Sequence, residues 1–329
     1  MTRSAVLCGL GAWVPPRVVT NDDLAARLDT SDEWIRTRTG IRQRHVISDG
    51  LGTADLAVEA GALALKSAGL SEVDYVVLAT TTPDRLCPAT GPEVATRLGL
   101  TGVPAFDVAA VCSGFLYGLQ TGRALIAGEI AGTVLVVAAE SFTTLVDPAD
   151  RATSPIFGDG AGAVVLRAGE AAELGAVRAV NLHSDGSLAE LITVAGGGAR
   201  ARAVGDTSPA HITMQGRATF AHAVKHMEEV TRRTLAQVGW DVAEVDHVVG
   251  HQANARILHA LAKHLGLAEE QAVVHIEEVG NTAAASIPLA LHHGATTGRI
   301  KPGDKVVLPA FGAGATWGAA ALTWPALEV

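Results

Sequence analysis

The chain has 329 residues, 48% of them hydrophobic and 18% charged, with a mean hydropathy of +0.28 and 25 basic against 34 acidic side chains, a formal net charge of −9. This composition supports a large core, excludes a disordered chain and disfavours nucleic acid as a partner. Three cysteines (Cys8, Cys87, Cys112) form neither a disulfide framework nor a metal signature, and there is no signal-peptide pattern or membrane-spanning apolar run. A cytoplasmic protein without membrane contact is therefore expected.

Taken in order, Val6 to Gly11 reads as a first strand, and Thr20-Asn21-Asp22 as a helix cap before Leu24 to Leu28. Ser31 to Arg44 is basic within an acidic chain. If it is helical, Trp34 and Arg38 share a face, which suits either an adenine ring with its phosphates or a solvated basic surface. An amphipathic helix is predicted over Thr53 to Ala68, closed by Gly69, and a β-branched strand over Tyr75 to Thr80. A loop from Thr81 to Pro88 carries Cys87, and a short helix follows to Leu98. A strand then runs into a helix with Cys112 at the junction. Val134 to Ala139 is a continuous apolar run, as in a strand covered on both faces. A loop over 141–157 and the turn Gly158 to Gly162 lead into strand Ala163 to Leu166.

The first half then recurs. Val73-Asp74-Tyr75-Val76-Val77 is matched by Val245-Asp246-His247-Val248-Val249, and Gly128-Glu129-Ile130 by Gly298-Arg299-Ile300, at nearly the same separation. Phe157-Gly158-Asp159-Gly160-Ala161-Gly162 is matched by Phe311-Gly312-Ala313-Gly314-Ala315 at a shorter one, as the extra loop 141–157 requires. Two similar α/β halves follow, 1–170 and 171–329, with their seam near Ala168 to Gly175 and Cys112 paired with Thr282. In the second half, Ala176 to Leu182 reads as a strand, 183–213 as irregular, with a mobile Ala195 to Arg202 lining an opening, and Ala218 to Val238 as a long helix. Strands are predicted at His247 to Gly250, Val273 to Ile276, Lys305 to Ala310 and Thr316 to Thr323.

Cys112 at a helix start feels unpaired N–H groups and the positive end of the dipole. That favours a thiolate nucleophile, unless the residue is simply a small buried hydrophobe. His251 stands just past a strand end, where α/β proteins place their sites. Asn281, at a strand-to-helix junction, is either a helix cap or a side-chain donor. Together they fit one reaction. Cys112 accepts an acyl group from a thioester, with backbone N–H groups of Cys112 and Gly314 on the oxyanion. A malonyl thioester then decarboxylates to an enolate, which meets two uncharged donors on His251 and Asn281.

Ala109-Ala110-Val111-Cys112-Ser113-Gly114-Phe115, His251-Gln252-Ala253-Asn254 and Gly280-Asn281-Thr282-Ala283-Ala284-Ala285-Ser286 resemble the three active-site motifs of β-ketoacyl-acyl carrier protein synthase III. Thr30-Ser31-Asp32-Glu33-Trp34 and Arg38-Thr39-Gly40-Ile41 add to a likeness that spans the chain. The resemblance implies a thiolase-like α/β fold, two pseudo-symmetric βαβαβαββ halves in α-β-α-β-α layers. It also implies condensation of an acyl-CoA starter with malonyl-acyl carrier protein in fatty acid or polyketide initiation. It assigns Cys112 as nucleophile, His251 and Asn281 as enolate donors, and Thr30, Trp34, Arg38, Arg151, Phe220 and Asn254 as coenzyme A contacts. Gln252, Ala253, Asn254, Ala255 and Arg256 would meet the carrier protein. The family is a homodimer that needs no cofactor beyond its thioester substrates, and Cys87 stands where a neighbouring subunit closes the acyl pocket, in place of a phenylalanine. Longer or branched starters are therefore expected. A non-decarboxylating acyltransferase and a non-catalytic partner subunit are the competing readings, the second disfavoured by the retained triad.

Overall fold

Strands buried on both faces need no polar alternation, and the apolar runs of this chain become the central strands of two sheets. The computed structural model describes residues 3–328. The first half comprises β1 (Ser4–Trp13), β2 (Val18–Thr20), α1 (Asn21–Ala25), α2 (Asp32–Thr39), β3 (Gln43–His45), α3 (Thr53–Ala68) and β4 (Tyr75–Ala79). It continues through α4 (Gly91–Arg97), β5 (Ala105–Val108), α5 (Gly114–Ala127), β6 (Thr133–Glu140) and β7 (Gly160–Gly169). Its sheet has the order β1-β7-β6-β4-β5, with β4 parallel to both β5 and β6, while β2 and β3 form a separate two-stranded antiparallel sheet.

The second half repeats this with β8 (Val177–Ser184), β9 (Ile192–Val194), α6 (Ala199–Ala203), β10 (Ile212–Met214), α7 (Gly216–Val238), β11 (His247–Val248) and α8 (Ala255–Leu265). It ends with α9 (Ile276–Val279), α10 (Ser286–Thr296), β12 (Lys305–Gly312) and β13 (Thr316–Thr323). The order β11-β12-β13-β8 mirrors the first sheet. The central layer is α5 and α10: Phe115, Leu116 and Leu119 of one and Ile287, Ala290 and Leu291 of the other pack in one cluster with Val136 and Val164 of the first sheet and Leu308 and Ala320 of the second. Helix α3 covers the outside of the first sheet, and α7 with α8 covers the second, which completes five layers.

Three expectations are corrected. Val273 to Ile276 is not a strand: it is reduced to a single bridge, Val248 to Ala272, because Gln252 takes the next amides, those of His275 and Ile276, on its side-chain oxygen. The stretch 183–213 is not wholly irregular but contains the β9–β10 hairpin and α6. The pseudo-equivalent of Cys112 is Ala284, not Thr282. Val111 (φ 45°) opens the 3₁₀ turn Val111–Ser113, Ala283 (φ 44°) opens the turn Ala283–Ala285, and each turn runs directly into α5 or α10.

Candidate active site

The turn that carries Cys112 is strained and tightly held. A positive φ on β-branched Val111 costs on the order of 1–3 kcal/mol and persists only when the surroundings impose it. Here the end of the second sheet imposes it. Ser113 Oγ donates to Thr316 O at 3.0 Å, and Thr316 Oγ1 donates to Ala110 O at 3.0 Å. Gly312 lets β12 come close enough, since a Cβ there would stand 2.8 Å from Cys112 Cβ and 2.9 Å from Cys112 N.

Cys112 is 7% exposed. Burial, and then the negative charge of Glu140, push its thiol up to about 12, while backbone N–H groups of Cys112 and Ala313 pull the other way. The resting residue is thus a neutral thiol, against the expectation of a favoured thiolate, because desolvation outweighs the donors of the helix start. From the terminal glycine turn it is the Ala313 backbone N–H that favours the charged sulfur, while Gly314 is exposed at φ 127°.

His251 leaves β11 with its N–H on Pro309 O at 2.8 Å, which fixes its backbone against β12. Its Nδ1 lies 2.7 Å from Ser286 Oγ, the first residue of α10. Gln252 N–H also donates to that oxygen at 3.2 Å, and a hydroxyl proton given to Nδ1 leaves the imidazole proton on Nε2. Burial pushes His251 down to about 3, so the ring is a neutral donor at working pH. Asn281 Oδ1 accepts from Ala283 N–H at 2.9 Å, which commits the oxygen and frees the two Nδ2 protons. Its backbone is tied by N–H to Ile156 O at 2.9 Å and by C=O to Gly158 N–H at 3.0 Å.

Cys112, His251 and Asn281 all line one cavity of about 610 Å³, which contains Arg38, Arg217 and Arg256 but, among the described residues, no carboxylate. Trp34, Phe220, Ala253 and Asn254 also line it. The Arg38 guanidinium stands 4.8 Å from the Trp34 ring, that of Arg151 5.2 Å from the same ring, and that of Arg256 5.9 Å from Phe220. Arg151 also pairs with exposed Asp29 at 3.1 Å. Asn254 links the two halves, donating to Arg38 O at 3.0 Å and capping α8 through Arg256 N–H. Thr30 is outside the cavity wall, with a buried hydroxyl that has no partner. Cys87 is exposed on the loop after β4, away from this chain's own Cys112 cavity.

The expected carrier contacts divide. Gln252 is fully buried, its amide donating to Gly250 O and Val273 O and accepting from His275 and Ile276, and Ala255 is buried against Gly40. Neither can touch a partner; Ala253, Asn254 and exposed Arg256 can. Sequence reasoning missed Ser286, Ala313, Arg217, Glu140 and the Ile192, Ile212 and Met214 wall from the β9–β10 hairpin. Ser286 and Ala313 were within reach, as members of the Gly280–Ser286 motif and the Phe311–Ala315 stretch; the others carry no local signal.

A duplicated five-layer fold that brings a buried cysteine, histidine and asparagine to one cavity defines the thiolase-like class of α/β enzyme. Residues 106–186 match 3-oxoacyl-[acyl-carrier-protein (ACP)] synthase III, and residues 235–324 its C-terminal part. β-Ketoacyl-[acyl-carrier-protein] synthase III 3 of Streptomyces coelicolor is 57% identical over 100% of this chain and 99% of its own. The Pseudomonas aeruginosa synthase III is 52% identical over 99% and 98%. The crystal structure of 3-oxoacyl-(acyl carrier protein) synthase III from Pseudomonas aeruginosa PAO1 superposes with a TM-score of 0.94 at 50% identity, covering 99% of this chain and 100% of that one. The priming β-ketosynthase of the R1128 polyketide pathway gives 0.93 at 31% identity over 98% and 97%. The chain belongs to the β-ketoacyl-[acyl-carrier-protein] synthase III family. Among the described residues no helix is long and apolar enough to cross a membrane.

Proposed function

We propose that the chain condenses an acyl-CoA starter with malonyl-acyl carrier protein, with loss of carbon dioxide, through an acyl group on Cys112. The Cys112 sulfur attacks the starter carbonyl, and N–H groups of Cys112 and Ala313 stabilise the oxyanion. Coenzyme A leaves with the thiol proton. The malonyl carboxylate then departs as carbon dioxide, its electron pair forming an enolate whose oxygen meets His251 Nε2–H and Asn281 Nδ2–H. The enolate carbon attacks the acyl carbonyl and expels the Cys112 thiolate, giving 3-oxoacyl-carrier. The observation that carries this reading is a cavity where the sulfur and two neutral donors meet and, among the described residues, no carboxylate lines the wall. A hydrolytic site would instead hold a base and its orienter for water.

In this reading coenzyme A lies along Trp34, Arg38, Arg151, Phe220 and Asn254, with Thr30 supporting the start of α2, and Arg256 meets the acidic carrier protein. Both thioesters are substrates, and the reaction as written calls on no further cofactor. The working unit is a homodimer in which Cys87 of each chain closes the neighbour's acyl pocket, leaving room for longer or branched starters. Intact-protein mass spectrometry over an acyl-CoA panel, followed by a chase with labelled malonyl-carrier, tests this. Expected are an acyl adduct on Cys112 and labelled carbon dioxide in step with product. An adduct discharged without carbon dioxide identifies a plain acyltransferase.

A further inference from the structure

Glu140, the last residue of β6, is fully buried within a few residues of the catalytic cavity and takes no part in the chemistry above. No arginine or lysine is bonded to it among the described residues. Thr81 N–H donates to its two oxygens at 3.2 and 3.0 Å, Thr82 Oγ1 donates at 2.9 Å and Thr80 Oγ1 at 3.5 Å, and the Ala284 backbone N–H stands near enough to favour the charged carboxyl. These groups come from places that matter to Cys112. Ala284 lies in the turn that opens α10, and its Cβ stands 3.2 Å from where a Gly114 Cβ would be, at the start of the nucleophile's own helix. Thr81 and Thr82 begin the loop that ends at Thr90 and exposes Leu86 and Cys87. Thr82 Oγ1 also accepts from Ser141 N–H at 2.9 Å, and Thr53 Oγ1 lies 2.6 Å from Ser141 Oγ, so the loop root is locked onto the end of β6.

We propose that Glu140 is a positioning residue for acyl transfer, its one carboxylate holding in register the paired helix starts beside Cys112 and the root of the loop that carries Cys87. The inference rests on Cys112 being the nucleophile. A neutral side chain of the same shape has only one oxygen for these donors and turns an N–H toward another. A shorter acid keeps the charge but not the reach. The charge has its own consequence, because a buried anion opposes a second negative charge on the nearby sulfur. Burial pushes Glu140 up to about 7, so the restraint on Cys112 comes on as the carboxyl ionises around neutrality. The other titratable groups on the elements packed here are committed. His251 is neutral, Asp159 accepts from Thr143 and Ile47, and Asp84 accepts from Thr53 and Ala54.

The test is alkylation of Cys112 by iodoacetamide across pH 6 to 10, read by mass on the peptide that carries Cys112, beside steady-state kinetics on acyl-CoA. The wild-type profile is expected to rise, flatten near pH 7 as Glu140 becomes charged, and rise again. Glu140→Gln is expected to lose the flattening and to alkylate about tenfold faster at pH 8, one pKa unit's worth, with kcat lowered and KM for acyl-CoA unchanged. Glu140→Asp is expected to keep the slow profile while losing kcat. A Glu140→Gln profile identical to wild type overturns the proposal, as does a loss of activity that follows melting temperature alone. If Glu140→Gln does not fold, the wild-type profile decides, and a single unbroken rise overturns it. Failure of wild-type Cys112 to take an acyl group from acyl-CoA removes the reading of the site itself, a separate result.

Discussion

Replacing Asn281 by aspartate isolates the enolate step. Asn281 Oδ1 accepts from Ala283 N–H at 2.9 Å, and a carboxylate oxygen accepts the same bond, so the turn before α10 is preserved. The second oxygen of the new acid then stands where Nδ2–H faced the enolate. Losing one such donor costs about 2.7–4 kcal/mol, a factor of roughly 10²–10³. The carboxylate adds repulsion of about 4 kcal/mol for unit charges ~4 Å apart at an effective dielectric of ~20. Together these approach about 7 kcal/mol, or roughly 10⁵ in rate. Asn281→Ala loses the donor and the oxygen that takes Ala283 N–H but adds no charge, so at pH 7.5 Asn281→Asp should fall at least about 100-fold below Asn281→Ala in release of labelled carbon dioxide. Acylation of Cys112 in single-turnover mass spectrometry should be nearly unchanged in both. Activity of the aspartate variant should recover as pH falls, because a protonated carboxyl is again a neutral donor. Equal losses in acylation and decarboxylation, or an aspartate variant as active as the alanine one at pH 7.5, would refute the assignment of Asn281 to the enolate.

Ser286→Ala removes the hydroxyl that lies 2.7 Å from His251 Nδ1 and accepts from Gln252 N–H, so carbon dioxide release should fall by roughly 10–100-fold while Cys112 acylation survives; Ser286→Thr should restore most of the loss in the same assay. Gly312→Ala drives a methyl to 2.8 Å from Cys112 Cβ and should abolish the acyl adduct in intact mass spectra. Cys87→Phe should shift starter preference from hexanoyl-CoA toward acetyl-CoA by roughly 10–200-fold in kcat/KM, the range one or more methylenes command in a closed pocket. His251 is held down to about 3 by burial, below its unfolded value near 6.5, so the unfolded chain binds the proton first. Its contribution to stability is complete above about pH 7 and lost as pH falls towards 3. Urea midpoints should therefore drop by about 1 kcal/mol of stability per pH unit below pH 6 from this group alone.

The parts of the architecture that rest on local rules were legible. Apolar runs such as Val134 to Ala139 mark strands covered on both faces, and Gly69, Gly239 and Gly266 close α3, α7 and α8 in the left-handed conformation that only glycine adopts freely. What was not legible depends on long-range competition. Val273 to Val274 has strand composition, but the Gln252 side chain takes the next amides that a ladder would use. The Cys112 thiol differs from its expectation for the same reason: a helix start is visible in sequence, whereas the depth of its burial and the Glu140 charge 28 positions further along are not. Gln252 illustrates the limit of motif reading, since a polar residue between two functional ones suggests contact with a partner until its burial shows it bracing the loop from inside.

The duplication explains why the three site residues converge although 139 and 30 positions separate them along the chain (112 to 251 and 251 to 281). Each half presents one positive-φ turn before its central helix, Val111 in one and Ala283 in the other, and α5 and α10 pack together in the middle layer. The two turns therefore meet across a pseudo-twofold axis, and Cys112 on one and Asn281 just before the other line the same cavity. Gene duplication alone would put equivalent residues there, yet one turn carries a thiol at Cys112 and the other an alanine at Ala284, with the amide of Asn281 three residues earlier. Only one nucleophile is needed, and a second sulfur would compete for the acyl group; the matching position is better occupied by something small enough for the helices to close. Ala284 is that residue: it is 1% exposed, its Cβ packs on Gly114, and its backbone N–H helps favour the charged form of Glu140. Symmetry supplies the convergence, and the departures from symmetry supply the chemistry.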